Sequence, residues 1–182
     1  MLLVVAATER ELASVPDAET FVCGVGPVDA AIATATRLAE GDVTAVLHVG
    51  VAGAHTLAPL TLVLGTEAVY CDVIDHASTF PRTERVVPDA ALLAAARAAL
   101  PDARLVRIGT SGRLGGGAEC DVEAMEGFGV LRAAALAGIP AVELRAVSNT
   151  VGEADRAKWR FDDAFALLGD AVARIVRELA HA

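Results

Sequence analysis

Polar residues placed at the ends or on the faces of apolar runs are where a chain can do chemistry, and three such places stand out here. In DVEAMEGFGVLRAAALAG, residues 121–138, Val122, Met125, Gly129, Ala133 and Leu136 recur at the three-and-four spacing that lines one face of a helix. Glu126 falls on that face. A carboxylate so placed loses much of its hydration, which costs free energy unless the protein or a ligand donates hydrogen bonds to it. Asn149 closes the run after Gly138-Ile139-Pro140, at the carboxyl end of a predicted buried strand, the end at which open α/β sheets hold ligands. Glu9 and Glu11 follow the apolar run Leu2 to Ala6, and as acidic residues opening a helix they complement its dipole. Carboxylates accept protons and an asparagine amide offers two donors, a set suited to proton transfer on a small polar ligand.

The elements that must position these residues follow from period and punctuation. Leu2 to Ala6 is continuously apolar, which predicts a central strand covered on both faces. Thr20 to Gly24 predicts a second strand, and Gly24-Val25-Gly26-Pro27 a tight turn into a helix that stops near Gly41. Val43 to Val49 predicts a third strand, closed by a glycine-rich turn, Gly50-Val51-Ala52-Gly53. Leu60 to Asp72 favours strand through Thr61, Val63, Val69 and Tyr70. Pro88-Asp89 opens an alanine-rich helix that Pro101 stops, and Ala103 to Ile108 returns as a strand. The loop at 109–117 is expected to be short and flexible through Gly115-Gly116-Gly117, and Phe165, Leu168, Val172, Ile175 and Leu179 mark a closing helix. Strands alternating with helices predict an α/β fold with a mostly parallel sheet covered on both faces. Glu11, the Gly50 turn, the 109–117 loop and Asn149 then share the carboxyl edge of that sheet and converge on one crevice, which Glu126 reaches from a flanking helix.

Composition bounds the rest. The 182 residues suffice for one well-buried domain, taken here as residues 1–182. Hydrophobic residues make up 54%, yet no apolar run reaches the roughly 18 residues of a membrane span. A formal charge of −9 without a dense Lys/Arg block argues against nucleic acid or an anionic membrane as partner. The start, MLLVVAATERE, lacks a basic n-region, so a soluble, cytoplasmic protein is expected. Cys23, Cys71 and Cys120 are odd in number and lack C-x-x-C spacing, which favours buried free thiols over a disulfide or zinc. Asp72, Asp75 and His76 cluster without matching a strong ligand motif, so no metal or cofactor is expected, and Arg82 and Arg85 nearby could meet a substrate carboxylate.

Met125-Glu126-Gly127 and Arg145-Ala146-Val147-Ser148-Asn149 stand one helix and one strand apart. This pairing resembles the nucleoside phosphorylase and nucleosidase superfamily, and within it the futalosine hydrolases. The resemblance implies a three-layer α/β/α fold with a central mixed, mostly parallel sheet. It implies that Glu126, beside Met125, binds ribose hydroxyls and that Asn149 faces the purine. Gly53 and Val51 belong to a turn whose backbone approaches the substrate, and Phe161 aligns with an aromatic that covers it. AATERE aligns with a first-strand segment of the type GAMEEE, which places Glu11 as the carboxylate handling the attacking water, with Glu9 as the competing assignment. Phosphorylases of the superfamily place an arginine two residues before the first glycine of the turn and a serine or threonine just after it, both on phosphate. Here those places hold His48 and Val51. A valine side chain donates no hydrogen bond and a histidine is a pH-dependent substitute for a guanidinium, so water is the expected nucleophile. His48 on its own reads as a packed structural histidine, and Trp159 reads equally as core or as substrate contact. Against the longer nucleosidases, Ser14 to Glu19 looks trimmed, as if a hairpin were missing.

The implied chemistry is hydrolysis of an N-ribosidic bond through an oxocarbenium-like ribose, by analogy with glycoside hydrolysis. Adenine-specific members carry aspartate where this chain has Asn149, whose amide donors suit N7 and O6 of hypoxanthine. Futalosine, with hypoxanthine on one side and an aromatic carboxylate on the other, fits as substrate and implies a step toward menaquinone. Another purine nucleosidase, acting on methylthioadenosine, adenosylhomocysteine or inosine, or a phosphorylase, stays open, as does a non-catalytic nucleoside-binding relative. Superfamily membership also implies a homodimer or larger homo-oligomer.

Overall fold

The structure, a computed structural model, describes residues 1–15, 18–73, 82–117 and 119–181. In chain order these residues form β1 (Leu2–Ala6), α1 (Glu9–Leu12), β2 (Glu19–Val22), α2 (Pro27–Leu38), β3 (Ala45–Ala54), β4 (Leu62–Tyr70) and β5 (Arg85–Val86). There follow α3 (Ala90–Ala99), β6 (Arg104–Thr110), β7 (Val122–Ala124), α4 (Gly127–Ala137), β8 (Ala141–Thr150), a short 3-10 turn at Arg156–Lys158, and α5 (Phe161–His181).

The strands make one mixed sheet in the order β2-β1-β3-β7-β6-β4-β5, with β8 bonded to both β3 and β4. β1 pairs in parallel with β2 and β3, β3 with β8, β4 with β6, and β6 with β7. The β3–β7, β4–β8 and β4–β5 pairs are antiparallel. Because β3, β8, β4, β6 and β7 pair in a ring, the middle of the sheet curls closed at the end that carries Gly53 and Asn149.

Alternation along β1 shows how the layers form. Val4 and Ala6 join Leu47, Val49 and Leu144 beneath α3 and α5, where Ala96, Leu168, Val172 and Ile175 complete one core. Leu3 and Val5 join Val46 on the other face against α2 and α4, through Ala30, Leu38, Val130, Leu131 and Ala134. A strand buried on both faces has no polar side, which is why β1 and most of β3 read as unbroken apolar runs. Ala52, Ala54, Val63, Ile108, Val122 and Val147 fill the closed end. The expected three-layer α/β/α arrangement is therefore present, with a sheet more curled than an open doubly wound one.

Four local expectations are corrected. Residues 122–124 are a strand, not the first turn of a helix: Val122 pairs with Ile108 and Ala54, and α4 starts only at Gly127. Over so short a stretch the positions 122 and 125 do not discriminate periods, and pairing on both sides decides the conformation. Leu136, counted as core, is exposed. The segment Gly50 to Gly53 is not a turn; β3 runs through it to Ala54, bonded to β8 along its length with a register shift between Ala52 and Gly53. The triglycine loop is also pinned, by Glu123, whose Oε1 accepts from the Gly115 N–H at 2.7 Å and Oε2 from the Gly117 N–H at 3.0 Å. Of the thiols, Cys23 and Cys120 are buried and Cys71 half-buried. Cys71 and Cys120 meet beside Gly109, and burial pushes the Cys120 thiol up to about 11.

Candidate active site

A crevice of about 510 Å³ opens at the carboxyl ends of β1 and β8 and along the last residues of β3, within the size range of small-molecule sites. A side chamber of about 380 Å³ continues from it past Gly53, Asn149 and Glu123 toward Arg113 and Gly115.

Arg145 on β8 is the hub, wholly buried. Its Nε donates to Glu143 Oε1 at 2.9 Å, its Nη2 donates to His48 Nε2 at 2.5 Å, and Nη2 lies 3.6 Å from Glu126 Oε2. Glu143 and Arg145 are two apart on one strand and so share a face. His48 Nδ1 lies 3.0 Å from the Val5 carbonyl, and since a carbonyl only accepts, Nδ1 carries the proton and Nε2 is free to accept from arginine. Burial and then the neighbouring guanidinium hold His48 well below the usual histidine range, consistent with a neutral ring. Burial opposes the charge on Arg145, but Glu143, Glu126 and Glu11 outweigh it and keep the guanidinium cationic. Arg145 Nη1 and Glu143 Oε2 have no hydrogen-bond partner among the described residues.

Glu11 approaches this hub from the other side of Gly50. Its Oε2 accepts from the Thr8 N–H and hydroxyl, both at 3.0 Å, the acid-to-backbone half of a capping box at the start of α1. Its Oε1 accepts from the Val51 N–H at 3.1 Å. A Cβ on Gly50 would overlap Arg145 Nη1 and lie 2.7 Å from Glu11 Oε1, so only glycine leaves both groups their places. Burial lifts the Glu11 carboxyl above its ordinary range, and Arg145 and the Val51 and Thr8 donors pull it back only in part. Glu143 is raised by burial in the same way, against the pull of Arg145.

Glu126 sits at the N-cap of α4, at the junction with β7, and not on a helix face as expected. Its burial is met by the Gly26 N–H, which donates to Oε1 at 3.1 Å, and by the ion pair with Arg145 at 3.6 Å. Gly26 reaches that position in a left-handed conformation, φ 95°, which side chains disfavour. Asn149 is buried at the end of β8 with Oδ1 2.8 Å from the Ser148 hydroxyl and Nδ2 donating to the Thr150 carbonyl at 3.1 Å. One of its two amide hydrogens is thereby taken and one is left for a ligand.

The structure brings Glu11, Val51, Gly53, Met125, Glu126, Asn149 and Phe161 together on the crevice, with Trp159 beside them. It does not bring Glu9 there; that side chain is exposed. His48 lies beneath the site as a support for Arg145. Asp72, set aside as a metal ligand, accepts from the Ser111 hydroxyl at 2.6 Å and the Gly112 N–H at 2.8 Å, while Asp75 and His76 lie outside the described residues. Arg82 and Arg85 pair with Glu84 and Glu67 and do not line the crevice. Sequence reasoning passed over Arg145 as a working residue, along with Glu143 and Glu123. The signal for the first two was present: opposite charges at i and i+2 inside an otherwise apolar strand.

The sequence model described as the Phosphorylase superfamily matches residues 20–181. The chain belongs to this superfamily. Among curated relatives it is 62% identical over 53 residues to a futalosine hydrolase of Streptomyces coelicolor, a stretch that covers 29% of this chain and 23% of that protein. The alignments thus span about a quarter of the curated relatives' length. Among solved structures, a futalosine hydrolase mutant of Helicobacter pylori superposes with a TM-score of 0.87 at 16% identity, covering 97% of this chain and 98% of that one. A 5′-methylthioadenosine/S-adenosylhomocysteine nucleosidase of Colwellia psychrerythraea, in complex with adenine, gives 0.83 at 20% identity, covering 99% and 94%. At these identities the superpositions establish the fold. No helix among the described residues is long and apolar enough to cross a membrane.

Proposed function

We propose that this protein hydrolyses the N-ribosidic bond of futalosine, releasing hypoxanthine, as a cytoplasmic homo-oligomer on a route to menaquinone. The observation that carries the reading is the buried Glu11 carboxylate facing the uncommitted Nη1 of Arg145 across Gly50. A water between them donates to Glu11 and accepts from Arg145, so it is oriented and poised to lose a proton as it attacks the anomeric carbon. Glu126 keeps lone pairs for the ribose hydroxyls, and the remaining amide hydrogen of Asn149 meets N7 or O6 of the departing purine.

Charge supports water over phosphate as nucleophile. Three carboxylates, Glu11, Glu126 and Glu143, surround one guanidinium, so the site favours a cationic ribosyl transition state and disfavours a phosphate dianion. The local likeness to futalosine hydrolases supports this substrate over methylthioadenosine. An Asn149→Asp variant tests the base assignment: a protonated aspartate donates to N7 and an ionised one accepts from an exocyclic amine, so preference moves from inosine-type toward adenosine-type nucleosides. An unchanged ratio of kcat/KM for the two bases refutes the role given to Asn149.

A further inference from the structure

Gly53 stands between two polar side chains on the floor of the site. In the sheet it is the register partner of Asn149 on β8 and of Glu123 on β7. Register partners on adjacent strands project from the same face, so the two side chains flank a position that has none. A Cβ built on Gly53 would lie 3.3 Å from Asn149 Nδ2 and 3.8 Å from Glu123 Cγ. At the ordinary strand spacing the backbones of Asn149 and Glu123 are about 10 Å apart, which leaves room for a flat ring laid over the glycine. All three residues line both the crevice and its side chamber.

The two flanks differ in hydrogen-bond polarity. Asn149 keeps one amide hydrogen for a ligand, as described above. On the Glu123 flank the loop amides are largely committed. The Gly112 N–H donates to Asp72 Oδ2 at 2.8 Å, the Arg113 N–H to Ser111 Oγ at 3.2 Å, and the Gly116 N–H to the Arg113 carbonyl at 3.2 Å. Glu123 takes those of Gly115 and Gly117, so from Gly112 to Gly117 only the amide of exposed Leu114 lacks an acceptor among the described residues. Each Glu123 oxygen thus accepts one N–H and retains a further lone pair. A Cβ on Gly117 would lie 2.7 Å from Glu123 Cβ, so a bare glycine backbone is what lets the loop rest on this side chain.

We infer that Glu123 is a specificity-determining residue for the base. By taking up the Gly115 and Gly117 donors and keeping lone pairs for the chamber, it makes this flank an acceptor, and the chamber takes a purine that carries a hydrogen on N1. A 6-oxopurine presents that N1–H beside O6, which is an acceptor for Asn149. A 6-aminopurine presents a bare N1 lone pair, which an anionic oxygen repels, and it finds the two glycine donors already committed. This rests on the reading that a nucleoside occupies the crevice with its base at Asn149, and it adds the residue that reads the neighbouring edge.

The test uses hypoxanthine labelled with nitrogen-15 at N1, whose N1–H is followed by NMR on the parent protein. Affinities for hypoxanthine and adenine are measured by calorimetry on the parent and on Glu123→Gln. The expected result is an N1–H resonance protected from exchange and moved downfield of that of the free base, with hypoxanthine bound about tenfold or more tighter than adenine. Glutamine matches the shape of glutamate, but its amide nitrogen accepts nothing, so it frees one glycine donor and turns a donor of its own toward the loop and chamber. In Glu123→Gln the ratio of the two affinities therefore falls about tenfold, whereas a purely structural Glu123 would weaken both bases alike and leave the ratio in place. Equal affinities in the parent, failure of hypoxanthine to bind, a bound base without a protected N1–H, or a ratio unmoved in folded Glu123→Gln each overturns the role of Glu123. Should that variant fail to fold, the N1–H resonance of the parent complex decides. Hypoxanthine release from futalosine by the parent protein judges the hydrolase reading separately, so the two fail distinguishably.

Discussion

Replacing Gly50 by alanine adds one methyl group at the place where the account puts its nucleophile. The new Cβ would lie 2.7 Å from Glu11 Oε1 and closer still to Arg145 Nη1, against roughly 3.5 Å for an unstrained contact, so one or both groups must retreat by about 1 Å. Neither retreats freely. Arg145 is clamped by Glu143 and His48, and Glu11 by Thr8 and Val51. Overpacking of this kind costs about 1–3 kcal/mol of stability. That corresponds to a fall in Tm of about 2–4 °C for each kcal/mol in a domain of this size. A displacement of about 1 Å in a group that orients the nucleophile costs on the order of 10²-fold in turnover. Initial rates of hypoxanthine release, paired with thermal melts, read both effects. The expected outcome is a folded protein with kcat reduced far more than KM is raised, because Glu126 and Asn149 keep their places. A Gly50→Ala protein with parental kcat would refute the idea that Glu11 and Arg145 act on a common water.

Two further outcomes follow from the buried charges. Glu143→Leu removes the acceptor for Arg145 Nε and leaves a buried guanidinium undercompensated, a change that costs about 3–5 kcal/mol; denaturant titration checks it, and parental stability would show that Glu143 does not support Arg145. The acid limb of kcat/KM reports the base of the free enzyme. Since burial raises the Glu11 carboxyl, its ionised form is lost as pH falls through a value above the ordinary 4.5 of a glutamate, so the limb is displaced upward. A pH–rate profile flat to below that ordinary value counts against Glu11 as base.

Much of the site was legible because its parts sit at strand ends. Glu11, Asn149 and the glycines of β3 fall at or near the carboxyl edge of one sheet, and apolar runs long enough to be buried strands locate that edge from sequence alone. The glycines misled as to form: they suggested a turn, whereas glycine here leaves room for Arg145 and Glu11 beside a continuing strand. The stretch at 122–124 misled for another reason. Three residues carry no usable period, and their conformation comes from β6 and β3, which are distant in sequence. That misreading hid Glu123, whose hold on the 115–117 backbone depends on β7 existing. Arg145 and Glu143 were readable as a compensated pair within β8, but their link to Glu11 runs through the position of Gly50, which only the folded chain reveals.

The most direct measurement of the central claim is the release of hypoxanthine from futalosine by the purified protein, with and without added phosphate. Release is expected at a rate that does not depend on phosphate, and it is expected to be lost in Glu11→Gln. Release that requires phosphate, or release that survives Glu11→Gln undiminished, would contradict it.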